Sequence, residues 1–294
     1  MRVLNIGSLN LDYVYSVDHI VAPGETEAAE GRNTFLGGKG MNQSCALAKA
    51  GVETYHAGMI GADGGPFLEA CREYGVHSDL IRTVEGPSGH AVIQLDKNGQ
   101  NSILLFGGAN QQLTEAFVDE VLSHFDREDM LLLQNEVNLL PYIVDRAYEK
   151  GMKIALNPSP FNEKLRAVDL TKISVFILNE VEGYQITGKK TAEEILEELR
   201  RLFPEAGIML TLGKDGAVYQ DKAQKAFQPI FPVEVVDTTA AGDTFTGYFL
   251  AGMAEGLPME EILRRSAKAS SIAVGRAGAV PSIPRRDEVL RALG

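Results

Sequence analysis

Residues 236–247 read VDTTAAGDTFTG, and their order is suited to moving a charged group. Ala240, Ala241 and Gly242 fall where a helical pattern begins. A helix start carries unpaired N–H groups and the positive end of the helix dipole. With no bulky side chain in the way, an anion such as a phosphoryl group can approach those amides closely. Asp243 follows directly, placed to take a proton from a hydroxyl attacking that group. Phosphoryl transfer asks mainly for positioning and charge neutralisation, so a weak base suffices. An Asp in a first helical turn can equally be a plain helix cap. The run of small residues and the flanking threonines favour the chemical role.

Four further clusters offer polar groups near glycine. Gly38, Lys39, Gly40 and Asn42, within GGKGMN, precede a small-residue helix and suit close approach of a ligand, or a tight turn with a solvated lysine. Asn179 and Glu182 follow the apolar run ISVFIL, at a strand end where α/β proteins bind ligands. They can hold Mg²⁺ through its waters, or cap a helix. Thr211, Gly213 and Gly216 follow another strand and suit nucleotide phosphates or a hairpin turn. Asn10 and Asp12 alternate with Leu11, so both can face a polyol from one side of a strand, or lie in an exposed loop. Residues 183–190, GYQITGKK, approach the Walker A spacing, but Lys190 stands where a Mg²⁺-binding hydroxyl belongs. That segment is expected to terminate a helix.

These clusters need a scaffold. Strands are expected at 3–6, 54–59, 130–134, 153–157, 173–178 and 207–212, with helices at 42–50, 114–125, 138–150, 191–202, 242–255, 259–273 and 285–293. The alternation predicts a mostly parallel sheet covered by helices. Residues 11–36 and 88–107 read as short strands, the latter a hairpin around Asn98-Gly99, and together make a small sheet apart from the main one. A further strand and hairpin region is expected at 216–236, and Gly65-Pro66 reads as a helix interruption. The simplest organisation is one domain spanning 1–294.

The 294 residues carry a net charge of −12, which argues against nucleic-acid or anionic-membrane partners. The two cysteines, in apolar stretches, are expected to be reduced core thiols. With no signal-peptide pattern at residues 1–17 and no apolar run of membrane length, a cytoplasmic location is expected.

Taken in order, the motifs resemble the PfkB (ribokinase-like) carbohydrate kinase family over nearly the whole chain. VDTTAAGDTFTG is similar to its C-terminal signature and GGKGMNQ to its N-terminal one. The resemblance implies a three-layer α/β fold with a β-sheet lid that often pairs with a second subunit, hence a homodimer. It implies Asp243 as catalytic base, with Ala241, Gly242 and the Asp243 amide as an anion hole. It places Asn10, Asp12, Gly38, Lys39, Asn42 and Glu136 on the sugar. Asn179, Glu182, Thr211, Gly213 and Gly216 go to ATP and Mg²⁺. A K⁺ site would take Asp237, Thr239, carbonyls of Ala273, Arg276 and Gly278, and the Ser282 side chain.

The reaction implied is ATP with D-ribose giving ADP and ribose 5-phosphate. A nucleoside kinase would use Tyr13, Tyr15 and Phe106 around a base. Fructose, deoxyribose and ketodeoxygluconate are other acceptors. A non-catalytic sugar or nucleotide sensor would be expected to lose the base or the anion hole, both of which are present. A dinucleotide dehydrogenase would need GxGxxG after the first strand, where the chain has Gly7-Ser8-Leu9-Asn10.

Overall fold

The computed structural model describes residues 1–294. The chain begins with β1 (Val3–Ile6), β2 (Asn10–Val17), β3 (Gly31–Gly37), α1 (Lys39–Lys49), β4 (Thr54–Ile60), α2 (Gly65–Tyr74) and β5 (Val76–Thr83). It continues with β6 (Gly89–Asp96), β7 (Asn101–Phe106), α3 (Glu115–Ser123), β8 (Met130–Gln134), α4 (Leu140–Glu149), β9 (Lys153–Asn157) and β10 (Val175–Asn179). Then come α5 (Glu180–Thr187), α6 (Ala192–Leu202), β11 (Gly207–Thr211), β12 (Ala217–Gln220), β13 (Lys225–Gln228), α7 (Ala241–Glu255), α8 (Met259–Val274) and α9 (Arg286–Leu293).

Nine strands form one sheet in the order β13-β12-β11-β10-β9-β8-β1-β4-β5. Every neighbouring pair from β11 to β5 is parallel, and β12 and β13 add an antiparallel edge. Alternate side chains of the central strands enter two cores. Leu4 and Ile6 of β1 pack with α3, α4 and α6 on one face. Val3, on the other face, packs with the α1, α7 and α8 side. Burial on both faces explains the continuous apolar runs of β8 and β10.

A second sheet has the order β3-β2-β6-β7. β2 pairs antiparallel with β3 but parallel with β6. Its outer strand, β7, is exposed along its whole length and carries Ile103, Leu104, Leu105 and Phe106. The turn before it is closed by Asp96, whose Oδ1 accepts from the Asn98 and Gln100 amides.

Three expectations need correction. Pro66 does not interrupt a helix but sits in the first turn of α2, where its missing N–H has no partner to lose. The strand and hairpin region ends with β13 at Gln228, and no strand spans 229–236. The helix expected from residue 42 begins at Lys39. Residues 183–188 do terminate a helix, with Gly188 left-handed just beyond α5. Both cysteines are buried free thiols, and no helix is long and apolar enough to cross a membrane.

Candidate active site

Most of the candidate segments follow the C-terminal end of a parallel strand: Gly7–Asn10 after β1, Glu136 after β8, Asn179 ending β10, and Thr211 ending β11. That edge is where open α/β sheets bind ligands. The starts of α1 and α7 face the same region, brought together by close helix packing. A Cβ on Gly247 of α7 would lie 2.3 Å from the Ala46 Cβ of α1, so only glycine allows this approach.

Asp243 is buried in the first turn of α7 yet caps no helix amide. Its carboxylate is held by α1 instead. Asn42 Nδ2 donates to Oδ2 at 2.9 Å, and Gln43 Nε2 donates to Oδ1 at 2.8 Å. The simple capping role is therefore not the one this side chain plays. Asn42 Oδ1 is buried without a partner, an acceptor left over at the site.

Ala240, the residue before α7, is left-handed at φ 59°. For a residue with a Cβ that costs about 1–2 kcal/mol. No protein acceptor serves the amides of Ala240, Gly242 and Asp243. The Ala241 amide differs from expectation: it donates to the Thr238 carbonyl at 3.2 Å. The free donors are thus its neighbours. Gly242 is exposed, and a Cβ built on it would meet nothing within 4 Å. An anion has an open path to these amides and to the positive end of a 15-residue helix.

The opposite side of Asp243 is lined by the first turn of α1 and the base of the small sheet. Gly40 packs so tightly on the loop after β1 that a Cβ would lie 2.3 Å from the Ser8 amide. Ser8 Oγ accepts from the Gly40 amide and donates to Glu136 Oε2. The same Oε2 accepts from the Lys39 amide at 2.9 Å. Burial raises the Glu136 carboxyl, against the pull of Ser8 and Lys39. Burial lowers the Lys39 ammonium, but Asp243, Glu136 and Glu182 outweigh it and leave Lys39 raised. One cation thus sits in the field of three carboxylates from three segments, and stays charged.

Asn10 and Asp12 share one face of β2, with Leu11 turned into an apolar cluster on the other. Asn10 Oδ1 accepts from Asn110 Nδ2 at 2.7 Å. Burial, then Glu136, pushes Asp12 up to about 7. Gly38 lies against Ser8 and the Asn10 amide.

On the other flank, Asn179 and Thr211 are register partners across β10 and β11. Thr211 leads into the turn that contains Gly213 and Gly216, at φ 52° and 111°. Asn179 and Glu182 form a capping box: Asn179 Oδ1 accepts from the Val181 and Glu182 amides, and Glu182 Oε2 accepts from the Asn179 amide at 2.8 Å. Both keep one polar atom uncommitted. Asn179 is exposed and Glu182 buried. No hydrogen bond joins this flank to Asp243.

Asp237 joins the chain before α7 to the loop after α8. Its Oδ1 accepts from the Thr239 amide at 2.8 Å and its Oδ2 from the Gly278 amide at 2.9 Å. These bonds hold its carboxyl below the usual range despite burial. The Ala273 carbonyl accepts from the Arg276 amide, and Ser282 Oγ donates to the Ala279 carbonyl at 2.7 Å. The Arg276 side chain pairs with Glu288. The Asp237 oxygens, the Ala273 carbonyl and Ser282 Oγ are already hydrogen-bonded but retain a lone pair, and no hydrogen bond is made to the Arg276 or Gly278 carbonyl or to a Thr239 oxygen.

Sequence reasoning missed Gln43, Ser8 and Asn110. Gln43 follows Asn42 on a helix, where successive side chains point about 100° apart. That spacing reads as one ligand-facing and one core-facing residue, yet both reach Asp243.

The profile of the pfkB family carbohydrate kinases matches residues 2–286. The chain belongs to that family. This protein is an ATP-dependent carbohydrate kinase. It is 35% identical to the ribokinase of Haemophilus influenzae over 297 residues, covering 98% of this chain and 97% of the relative. The ribokinase of Cryptococcus neoformans in complex with ADP superposes with a TM-score of 0.87 at 32% identity, covering 99% of each chain. The Arabidopsis thaliana ribokinase complexed with ribose and ATP also gives 0.87 at 32% identity, covering 99% of this chain and 98% of that one. The three-layer architecture with its separate small sheet is therefore the fold of ribokinases.

Proposed function

We propose that this kinase transfers the γ-phosphoryl group of ATP to the 5-hydroxyl of D-ribose, with Asp243 as the general base. The observation that carries this reading is the setting of Asp243. Its carboxylate is clamped by two side-chain amides, next to free amides at the start of α7 and across from the polar cluster of Asn10, Asp12 and Lys39. Asp243 takes the acceptor proton while the amides of Ala240, Gly242 and Asp243 stabilise charge on the transferring group. Asn10, Asp12, Gly38, Lys39, Gly40, Asn42 and Glu136 hold the sugar. Asn179, Thr211, Gly213 and Gly216 hold the nucleotide. The small sheet acts as the lid, excluding water. Ribokinases of similar sequence, one of them solved in complex with ribose and ATP, support the choice of substrates.

Glu182 keeps one carboxylate oxygen outside its capping bond and suits Mg²⁺ held through water, with Asn179 nearby. Mg²⁺, when bound, neutralises charge between the phosphates. Asp237, Thr239, Ala273, Arg276, Gly278 and Ser282 supply hard oxygens suited to K⁺, on the two segments that Asp237 ties together. The exposed apolar residues of β7 suit a homodimer formed through the lids.

A sugar fits better than a nucleoside. By strand pairing, Tyr13 and Phe106 lie on the face of the small sheet opposite Asn10 and Asp12, and Tyr15 shares that opposite face. The aromatic groups that would sandwich a base point away from the acceptor.

The test is ADP release from Mg²⁺-ATP with ribose, deoxyribose, fructose, ketodeoxygluconate and nucleosides, in KCl and in potassium-free buffer. Turnover on ribose, raised by K⁺, is expected. Turnover confined to nucleosides would overturn the acceptor. No turnover on any acceptor would overturn the whole reading in favour of a sensor.

A further inference from the structure

We propose that Gln43 and Gln134 are positioning residues for phosphoryl transfer, in a chain of buried hydrogen bonds whose directions are all fixed, running both ways from Gln134 Nε2 and ending on the Asp243 carboxylate. The proposal rests on the reading of Asp243 as base. It starts from two groups that can only accept, the carbonyls of Gly7 and Gly40. His56 Nε2 lies 3.2 Å from the Gly7 carbonyl, so that nitrogen carries the hydrogen. His56 is fully buried, and burial pushes it down to about 4, so the ring is neutral and Nδ1 is bare. Ser44 Oγ therefore donates to Nδ1 at 2.8 Å. Its lone pair accepts from Asn5 Nδ2 at 2.9 Å, and the same Nδ2 donates to the Gly40 carbonyl at 2.8 Å.

The orientation of Asn5 now dictates the rest. Its Oδ1 must accept, and Gln134 Nε2 donates to it at 3.1 Å. The same Gln134 Nε2 donates to Gln43 Oε1 at 2.7 Å. Gln43 is left with Nε2 facing Asp243 Oδ1. A flipped Gln43 would set its carbonyl against the carboxylate and its N–H against the Gln134 amide. Asn5, Gln43, Ser44, His56 and Gln134 are all at most 1% exposed, so water cannot substitute for any link. Asn42 lacks such support, since its Oδ1 has no partner and no further bond fixes its direction; Gln134 Oε1 is also without a partner, but its Nε2 is fixed by two acceptors, Asn5 Oδ1 and Gln43 Oε1. Gln43 is the anchor whose direction is enforced, and it stops the carboxylate from turning away from the acceptor hydroxyl.

The experiment compares Gln43→Met, Gln134→Met, the double variant and Asp243→Asn, in kcat, in KM for ribose and for ATP, and in melting temperature. Each variant is assayed well below its own melting temperature, and methionine approximates glutamine in length and volume. Gln43→Met is expected to lower kcat about 10²-fold with both KM values within about twofold. Gln134→Met, which does not touch Asp243, is expected to lower kcat as well, and the double variant to be no worse than Gln43→Met, because both act through one link. A Gln43→Met enzyme with unchanged kcat, or losses that multiply in the double variant, overturns the proposal. Asp243→Asn separates the two ideas: near-normal turnover there refutes the base itself, whereas a dead Asp243→Asn with a fully active Gln43→Met refutes only the positioning role.

Discussion

Asn110 Nδ2 reaches Asn10 Oδ1 directly over Gly89, whose missing Cβ makes the room: a Cβ there would lie 2.0 Å from the first atom and 2.3 Å from the second. The pair links the base of β2 to the turn after β7, on the side of the site proposed for the sugar. Gly89→Ala displaces side-chain amides and leaves the backbone where it is. It is expected to raise KM for ribose at least tenfold, the loss of about one good hydrogen bond, with KM for ATP unchanged. Steady-state kinetics with each substrate varied decides this.

Asp243→Asn keeps the size of the side chain and both neighbours within reach. Removing a general base costs about 10²–10⁴-fold in rate. We expect kcat to fall within that range, with ribose binding by calorimetry retained. Near-normal turnover would refute the assignment.

Asp12 gives a signature in pH. Its ordinary value is 3.8 and the folded protein raises it to about 7, through burial and then Glu136. Between those values the folded state keeps a proton that the unfolded chain has lost. Stability from this group therefore falls as pH rises from about 4 to 7. Asp12→Asn is expected to gain stability relative to wild type across that window, in urea melts of the ligand-free protein. A difference that does not change with pH would rule this out.

Lys49 links α1 to the loop proposed for K⁺. Its Nζ donates to the Val280 and Ile283 carbonyls at 2.8 and 2.9 Å, and lies 4.5 Å from the centre of the Tyr74 ring. Lys49→Met removes a charged donor from both carbonyls and is expected to cost about 2 kcal/mol. It loosens the turn carrying Ser282, so the K⁺ concentration for half-activation should rise. A titration of activity with KCl checks this, and an unchanged midpoint would dissociate the turn from the cation.

Leu104 is 72% exposed on a fully exposed edge strand. Such an edge is an aggregation liability unless covered. Leu104→Glu is expected to convert a dimer to monomers in sedimentation measurements. A wild-type protein that sediments as a monomer would show that β7 is covered by something else or by nothing.

Much of the parallel sheet was legible because β8, β9 and β11 are buried on both faces and read as short apolar runs between helices. β5 was not. The register of β4 and β5 shifts between Tyr55 and Ala57, so Leu80 and Ile81 are both buried and the period of two is broken. The motif residues Asp243, Asn42 and Lys39 were legible by type. Their mutual arrangement was not, since Gln43, Gln134 and Asn5 are long-range partners with no local spacing to announce them. The Thr238 carbonyl that accepts from the Ala241 amide was not legible either, because only the fold brings it there.

Three of the four strands of the small sheet meet at one point: Asn10 opens β2 opposite Gly37, the end of β3, and opposite Gly89, the start of β6. Everything in that sheet comes from the chain before residue 107, and the flank with Asn179 and Thr211 comes after it. The connection between β7 and α3 thus lies between most of the residues proposed for the acceptor and those proposed for the nucleotide, with Glu136 the one proposed sugar residue beyond it. A chimera crossed over at Gln112 should change its acceptor with the first half and keep its nucleotide with the second. The condition is that the bonds crossing the join survive: Asn42 and Gln43 to Asp243, Gln134 to Asn5 and Gln43, and Ser8 and Lys39 to Glu136.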